Sequence, residues 1–340
     1  MITSGHLAEI ESPQLTAARV FSLIAPELKL IEQEFERQAR SNIQVISYIG
    51  DYLRASGGKR VRPALTVLAT YAAGGDGARH NAIRMAAVME MLHTATLVHD
   101  DIIDNAGTRR SHASINSRFG NQTAVLMGDW LYMSAFETSL AERSLPILDI
   151  LTTVTRKMTE GELLQLTMLG RADVTEEQYF DILLRKTAYL FSACCEIGAL
   201  LGATAGEEAR RALRDYGLNL GAAFQLVDDL LDFTATEDVL GKAAGADLLE
   251  GKLTLPLLLL LEQEPSRRAE AQAIMRAGNY DKITRASLLR AAEATGALKQ
   301  ARAAAVEYAT AARDALNVLS PSKYRDALSS LPTFILERES

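Results

Sequence analysis

The chain has 340 residues, 48% hydrophobic and 23% charged, with a net charge of -7 and a pI near 5.4. This is enough apolar material for a large core, and the acidic balance excludes a nucleic-acid scaffold, which would need a broad basic face. A small anionic substrate is still allowed, because a pocket can be locally basic on an acidic protein.

The N-terminus, MITSGHLAEIESP, lacks a basic region followed by an apolar run, so no secretory leader is expected, and the first twelve residues are expected to be disordered. Beyond them the period is helical nearly everywhere. Helices are predicted at roughly 14–38, 42–55 and 61–73. Ser56-Gly57-Gly58 breaks the chain before the third, and the cations Lys59, Arg60 and Arg62 follow at once in SGGKRVRP. The next predicted helix, Ala82 to Asp104, is apolar on several faces and belongs in the centre of a bundle. It ends on LVHDDIID, stops at Asn105-Ala106-Gly107, and is followed by Arg109 and Arg110.

Further helices are predicted at roughly 122–141, 144–169, 176–203 and 207–233. The last of these holds QLVDDLLD, so a DDxxD pattern occurs twice, each time near the C-terminal end of a long apolar helix. Ala235 to Leu253 reads as a loop rich in Gly, Lys and Asp, carrying Lys242 and Lys252. Helices at roughly 252–262, 282–294, 297–318 and 322–332 complete the chain. The apolar stretch Leu253 to Leu261 is broken by Thr254 and Pro256 and is too short to span a bilayer. Adjacent Cys194 and Cys195 would form a strained ring if paired, and they read as buried thiols in a reduced compartment. The expectation is an all-α fold in the cytoplasm: a single domain over 1–340, a helical bundle around a central apolar cavity.

The repeated aspartates carry the chemistry. On a helix, Asp100 and Asp104 share one face with Asp101 beside them; Asp228 and Asp232 do the same beside Asp229. Carboxylates near a helix C-terminus meet the negative end of the dipole and repel each other, so a compensating cation is expected. Their all-oxygen ligand set selects a hard ion, Mg²⁺ or Mn²⁺, which is commonly held by one or two carboxylates together with substrate phosphates. The basic runs supply phosphate-binding forks and point charges, with Lys186 and Thr187 in LLRKTAYL added to them. Opposed aspartates, phosphate-binding cations and an apolar interior together suit ionisation of an allylic diphosphate. No GxxxxGK[ST] loop is present. Glu90 and His93 form an ExxH pair of the di-iron type, but none of His6, His80, His99 or His112 follows a Glu at that spacing.

The set GGKRVRP, HTATLVHDDIID, RRSH, GDWLY, KT, FQLVDDLLDF, GKAAGADLLEGK and TLP resembles the trans-polyprenyl diphosphate synthase family, in particular its bacterial octaprenyl branch. The resemblance runs from about residue 40 to the C-terminus and implies an isoprenoid-synthase-type bundle that condenses isopentenyl diphosphate with an allylic diphosphate. It implies Mg²⁺ bound by Asp100, Asp101, Asp104, Asp228, Asp229 and Asp232, with up to three ions when substrate is present. It places isopentenyl diphosphate on Lys59, Arg62, His93 and Arg110. The allylic diphosphate would meet Arg109, Lys186, Thr187, Gln225, Lys242 and Lys252, with Phe224 facing the reacting carbons and Glu162 and Gln165 lining the metal region. Asp100, Asp104, Asp228, Lys186 and Arg109 are the expected catalytic residues. A homodimer is implied, together with peripheral membrane contact for product release.

Chain length is expected to depend on the helix before the first motif. Aromatic residues there stop growth early in the family; Ala95 and Thr96 are small, and Leu92 lies a turn deeper. Met133 and Phe136 are the expected floor; each helical turn of depth, roughly 5.4 Å, adds room on the order of one isoprene unit, and a product of about forty carbons is expected. A terpene cyclase would not need the isopentenyl site, and a non-catalytic partner subunit would be expected to have lost aspartates.

Overall fold

The computed structural model describes residues 15–55, 57–109, 112–202, 206–235, 244–281 and 283–338. The expected disordered N-terminus, Arg110 and Lys242 lie outside the described residues.

The first predicted helix is two, α1 (Ala17–Ser22) and α2 (Ala25–Gln38). The break precedes Pro26, whose fixed φ and missing donor suit a first turn and not a helix interior. Then come α3 (Gln44–Ala55), α4 (Val61–Ala72) and the long α5 (Arg79–Ile103). A two-residue hairpin, β1 (Thr108–Arg109) and β2 (His112–Ala113), was not foreseen; Thr108 pairs with Ala113 and Arg109 with His112. After α6 (Ile115–Phe119), α7 (Asn121–Ser139) and α8 (Leu145–Met168) form a pair of long helices.

The predicted helix at 176–203 is interrupted. Its α9 (Glu176–Leu183) begins with a capping box between Thr175 and Gln178. A π-turn over Leu184–Ala188 separates α9 from α10 (Tyr189–Leu201). α11 (Glu207–Thr234) carries the second motif, and the short α12 (Ala246–Leu249) follows in the Gly-rich loop. α13 (Leu255–Gln263) starts later than predicted, because Thr254 stays extended and Pro256 occupies the first turn. α14 (Arg268–Ala277) was missed, since only Ala271, Ile274 and Met275 give it a buried face. The chain closes with α15 (Arg285–Thr295), α16 (Ala297–Ala315) and α17 (Lys323–Glu337). α17 runs through Pro332, where the helix was predicted to stop. Leu331, Pro332 and Ile335 are all buried, and this packing holds the helix across the missing hydrogen bond.

The central helices are α4, α5, α10 and α11, ringed by α7, α8, α16 and α17. Small residues set the spacing. A Cβ at Gly217 of α11 would lie 2.5 Å from the backbone oxygen of Phe191 in α10, so only glycine allows this approach. Ala297, Ala301, Ala305, Ala309 and Ala312 form a buried stripe that lets α16 lie close against α11. Cys194 and Cys195 are buried free thiols, pushed above their ordinary pKa by desolvation. Among the described residues no helix is long and apolar enough to cross a membrane.

Candidate active site

Two reversals of the chain bring cations to the first acidic helix end. α5 stops because Asn105 takes φ 50° and the Ala106 amide donates to the Asp101 carbonyl at 2.8 Å. The hairpin then returns Arg109, whose Nε donates to Asp101 Oδ1 at 2.7 Å. α12 ends by the same device: Gly251 takes φ 84° and the Lys252 amide donates to the Asp247 carbonyl at 2.8 Å. Lys252 Nζ then lies 3.3 Å from Asp104 and 2.8 Å from Glu250.

The two motifs face one cavity of about 470 Å³. His93, Thr96, Leu97 and Asp100 enter it from α5; Phe224, Gln225, Asp228 and Asp229 enter from α11. Lys186 and Thr187 reach it from the π-turn, which widens the helix so that two consecutive residues point inward. Arg62, Arg109, Gln165, Tyr179, Asp247, Lys252 and Thr254 add to its polar lining, and Met168, Leu169, Ile182, Leu183, Leu190 and Leu253 supply apolar walls.

Burial raises the Asp100 carboxyl to about 6; Glu162 and Asp104 push the same way, while Lys186 and Arg109 partly offset them. Lys186 Nζ lies 2.5 Å from Glu162. Asp101 is buried, and desolvation raises its pKa against the pull of Arg109. Asp229 is buried as well, and desolvation followed by the charge of Asp247 raises its carboxyl well above the ordinary range. Its oxygens accept from Tyr179 Oη at 2.6 Å and Gln225 Nε2 at 2.8 Å, and Gln225 Oε1 accepts from Thr187 Oγ1 at 2.9 Å. A continuous chain thus ties the π-turn to the second motif. Lys252 is kept charged: burial would lower its pKa, but Glu250, Asp104 and Asp247 raise it beyond that.

Not every expected residue lines the cavity. Asp232 is buried behind it, where Oδ2 accepts from the Asp247 amide at 3.1 Å and so fixes the loop. Asp104 stands at the rim, next to Lys252. Lys59 is exposed and outside the lining. Arg62 Nη1 donates to His93 Nε2 at 3.0 Å, and the Arg62 guanidinium stacks 4.9 Å over Phe191. Arg60 takes the left-handed conformation at φ 51° and turns away, pairing at 2.5 Å with buried Glu90. Both members of the ExxH pair are therefore engaged by cations of one basic run. Arg60→Ala is expected to cost about 3 kcal/mol of stability, because it leaves a buried carboxylate unpaired. A thermal melt should show this while kcat and KM stay near wild type.

The chain-length positions divide. Thr96 lines the main cavity and also a side chamber of about 130 Å³ with His99, Tyr132, Met158 and Glu162. Leu92 is buried on the same face of α5, one turn deeper. Ala95 is fully buried but lines neither space. Met133, expected as part of the floor, is 63% exposed, because α7 turns that position outward; Phe136 is half-buried, one turn beyond Tyr132.

Three residues were missed in the sequence. Tyr179 stands two turns before Lys186 on the same helical run, a spacing that could have shown it. Asp247 lines the cavity from α12. Arg338, at the end of α17, lies 3.0 Å from Asp228 and 5.0 Å over the Phe224 ring. No local signal in the sequence joins it to Asp228.

The donor set fits a hard divalent ion. The facing carboxylates are all oxygen ligands, and cationic side chains stand against both motifs: Lys252 at Asp104, Arg338 at Asp228. Among the described residues no three His, Cys, Asp or Glu side chains converge tightly enough to hold an ion alone. Magnesium is ordinarily completed by substrate phosphates in such sites.

The model of the polyprenyl synthetase family matches residues 43–290. The chain is 39% identical to octaprenyl diphosphate synthase of Escherichia coli (strain K12) over 323 residues, covering 94% of this chain and 98% of the other. It is 36% identical to all-trans-nonaprenyl-diphosphate synthase (geranyl-diphosphate specific) of Rhodobacter capsulatus, covering 94% and 97%. The fold is similar to that of a polyprenyl synthase from Caulobacter crescentus CB15, solved with calcium and isoprenyl diphosphate. The TM-score is 0.86 and the identity 37%, with 97% of this chain and 100% of that chain covered.

Proposed function

Because the chain belongs to the polyprenyl synthetase family and is a prenyltransferase, we propose that it is a long-chain all-trans polyprenyl diphosphate synthase, one domain over 1–340. It would add isopentenyl diphosphate repeatedly to farnesyl or geranyl diphosphate, giving a product of about forty carbons. The observation that carries this reading is the convergence of both aspartate motifs, Lys186, Thr187, Gln225 and Lys252 on one half-apolar cavity.

Asp100 and Asp104 on one side, and Asp228 with Asp229 on the other, would hold Mg²⁺, up to three ions with substrate bound. When bound, the metal supplies charge neutralisation of the leaving diphosphate. Arg109 and Lys186, both acting on the charge of Asp100, would bind that diphosphate; Asp101 orients the first and Glu162 the second. Thr187 and Gln225 add neutral hydrogen-bonding groups. Arg62 and His93, at the α4–α5 side, would take isopentenyl diphosphate with Lys59 and Arg110. The allylic C1–O bond breaks, and C1 joins the terminal alkene carbon of isopentenyl diphosphate. The C2 proton then passes to the departed diphosphate. Phe224, with Phe191 at a centroid distance of 5.4 Å, faces the reacting carbons and favours the developing cation.

A homodimer is supported by apolar side chains left exposed on α7 and α8, among them Leu126 at 68%, Met133 at 63% and Leu163 at 59%. We place the enzyme in the cytoplasm, with product release at a membrane surface. The test is incubation of the pure protein with farnesyl diphosphate, labelled isopentenyl diphosphate and Mg²⁺, followed by sizing of the product. About forty carbons is expected. A shorter ladder ending near twenty, or a longer one near fifty, would assign another chain length, and absence of any condensation would overturn the reading.

A further inference from the structure

Tyr179 of α9 borders the cavity and is 7% exposed. Its hydroxyl opens a chain of three hydrogen bonds that crosses from α9 to α11 and on to the π-turn. Tyr179 Oη donates to Asp229 Oδ2 at 2.6 Å, and Gln225 Nε2, one turn earlier on α11, donates to Oδ1 at 2.8 Å. Gln225 Oε1 accepts from Thr187 Oγ1 at 2.9 Å.

Chemistry sets the direction of each bond. In its ionised form, which these two donors favour against burial and the charge of Asp247, Asp229 accepts at both oxygens. The amide nitrogen of Gln225 must then face Asp229, so only its carbonyl is left for Thr187, and Thr187 gives that carbonyl its single proton. A reversed Gln225 amide would set a carbonyl against the carboxylate. The orientation of two cavity residues, Gln225 and Thr187, is therefore decided at Asp229.

Asp229 itself needs an anchor. Asp247 and Asp228 both repel it, and Gln225 belongs to the same helix. Tyr179 is the donor that reaches it from another helix. The amide of Leu255, at the start of α13, acts as a donor on the Tyr179 oxygen, which leaves the hydroxyl proton to Asp229. With that proton committed, Tyr179 has none to give to a molecule in the cavity.

We propose that Tyr179 is a positioning residue for the allylic substrate, acting through Asp229 and Gln225 to set the Gln225 amide and the Thr187 hydroxyl at the cavity wall. The identity of the substrate rests on the prenyltransferase reading; the positioning rests on the three hydrogen bonds.

The experiment is a double-mutant cycle in steady-state kinetics with farnesyl diphosphate, isopentenyl diphosphate and Mg²⁺. Tyr179→Phe removes the hydroxyl and keeps the ring. Its kcat/KM for farnesyl diphosphate is expected to fall about tenfold, the scale of one hydrogen bond to a charged group, with KM for isopentenyl diphosphate near wild type. Thr187→Val should lose as much or more, and the double variant no more than Thr187→Val alone, because both break the same chain of bonds. Thr187→Ser keeps the hydroxyl and should leave the Tyr179→Phe loss at its full size. Thermal melts establish that the variants fold. Should Tyr179→Phe melt below the assay temperature, Gln225→Met breaks the chain one link further on and takes its place in the cycle. Losses that multiply in the double variant would overturn the proposal, since the two residues would then act independently. A lowered melting temperature with unchanged kinetics, or an equal rise of KM for both substrates, would overturn it as a role in the fold alone. Absence of condensation by the wild type would sink the prenyltransferase reading and this proposal together; condensation with multiplying losses would sink this proposal alone.

Discussion

Asp100→Ala and Asp228→Ala are each expected to lower kcat about a thousandfold or more, some 4 kcal/mol of barrier. The two carboxylates face each other from α5 and α11 across a cavity that also holds the cations Arg62, Arg109, Lys186 and Lys252. Removing either leaves the remaining cluster with too few oxygens to hold a divalent ion against a diphosphate, so stabilisation of the leaving group is lost at the step where charge develops. Folding should survive. Burial raises Asp100 to about 6, so its ionised carboxylate is an unfavourable guest without a cation, and its removal relieves strain. The check is steady-state turnover with thermal melting in parallel. Near-wild-type turnover in either variant would break the two-motif account. Asp101→Ala acts differently, because that carboxylate is buried against Arg109 and does not line the cavity. Its loss should raise KM for the allylic diphosphate as well as lower kcat.

Thr96→Phe is expected to shorten the product to about twenty carbons or fewer. Thr96 is the residue of α5 that, with Asp100, borders both the catalytic cavity and the side chamber behind it. An aromatic ring there would close the passage between them, and each helical turn of depth lost, about 5.4 Å, removes room for roughly one isoprene unit. Ala95→Phe should shorten the product as well, but at a stability cost of about 1–3 kcal/mol. Ala95 is fully buried outside both spaces, so the ring must force its way toward them. Chromatographic sizing reads both variants. An unchanged length distribution in Thr96→Phe would mean that the chain grows along another path.

The parts of this site that were legible in the sequence are those built by local spacing. DDxxD puts two carboxylates on one helical face whatever the fold around it, and NAGTRR shows a helix stop followed by cations, whereas the short helix in GADLLEGK reads only as loop. What the sequence hid depends on contacts between distant segments. The π-turn at Leu184–Ala188 has no distinguishing composition, yet it decides that both Lys186 and Thr187 point inward. Arg338 reaches Asp228 only because α17 continues through Pro332, where local rules end a helix. Met133 shows the same limit from the other side. α7 is apolar nearly all round, so its periodicity cannot say which methionine faces the chamber, and the structure turns this one outward. Asp232 matched its motif but was recruited to hold the Asp247 amide.

Anomalous scattering from crystals grown with Mn²⁺ and inorganic diphosphate would test the central claim most directly. The account predicts manganese peaks against the carboxylates of both Asp100 and Asp228, with the diphosphate between them and turned toward Lys186 and Arg109. Metal confined to one motif, or a diphosphate lodged away from both, would contradict it.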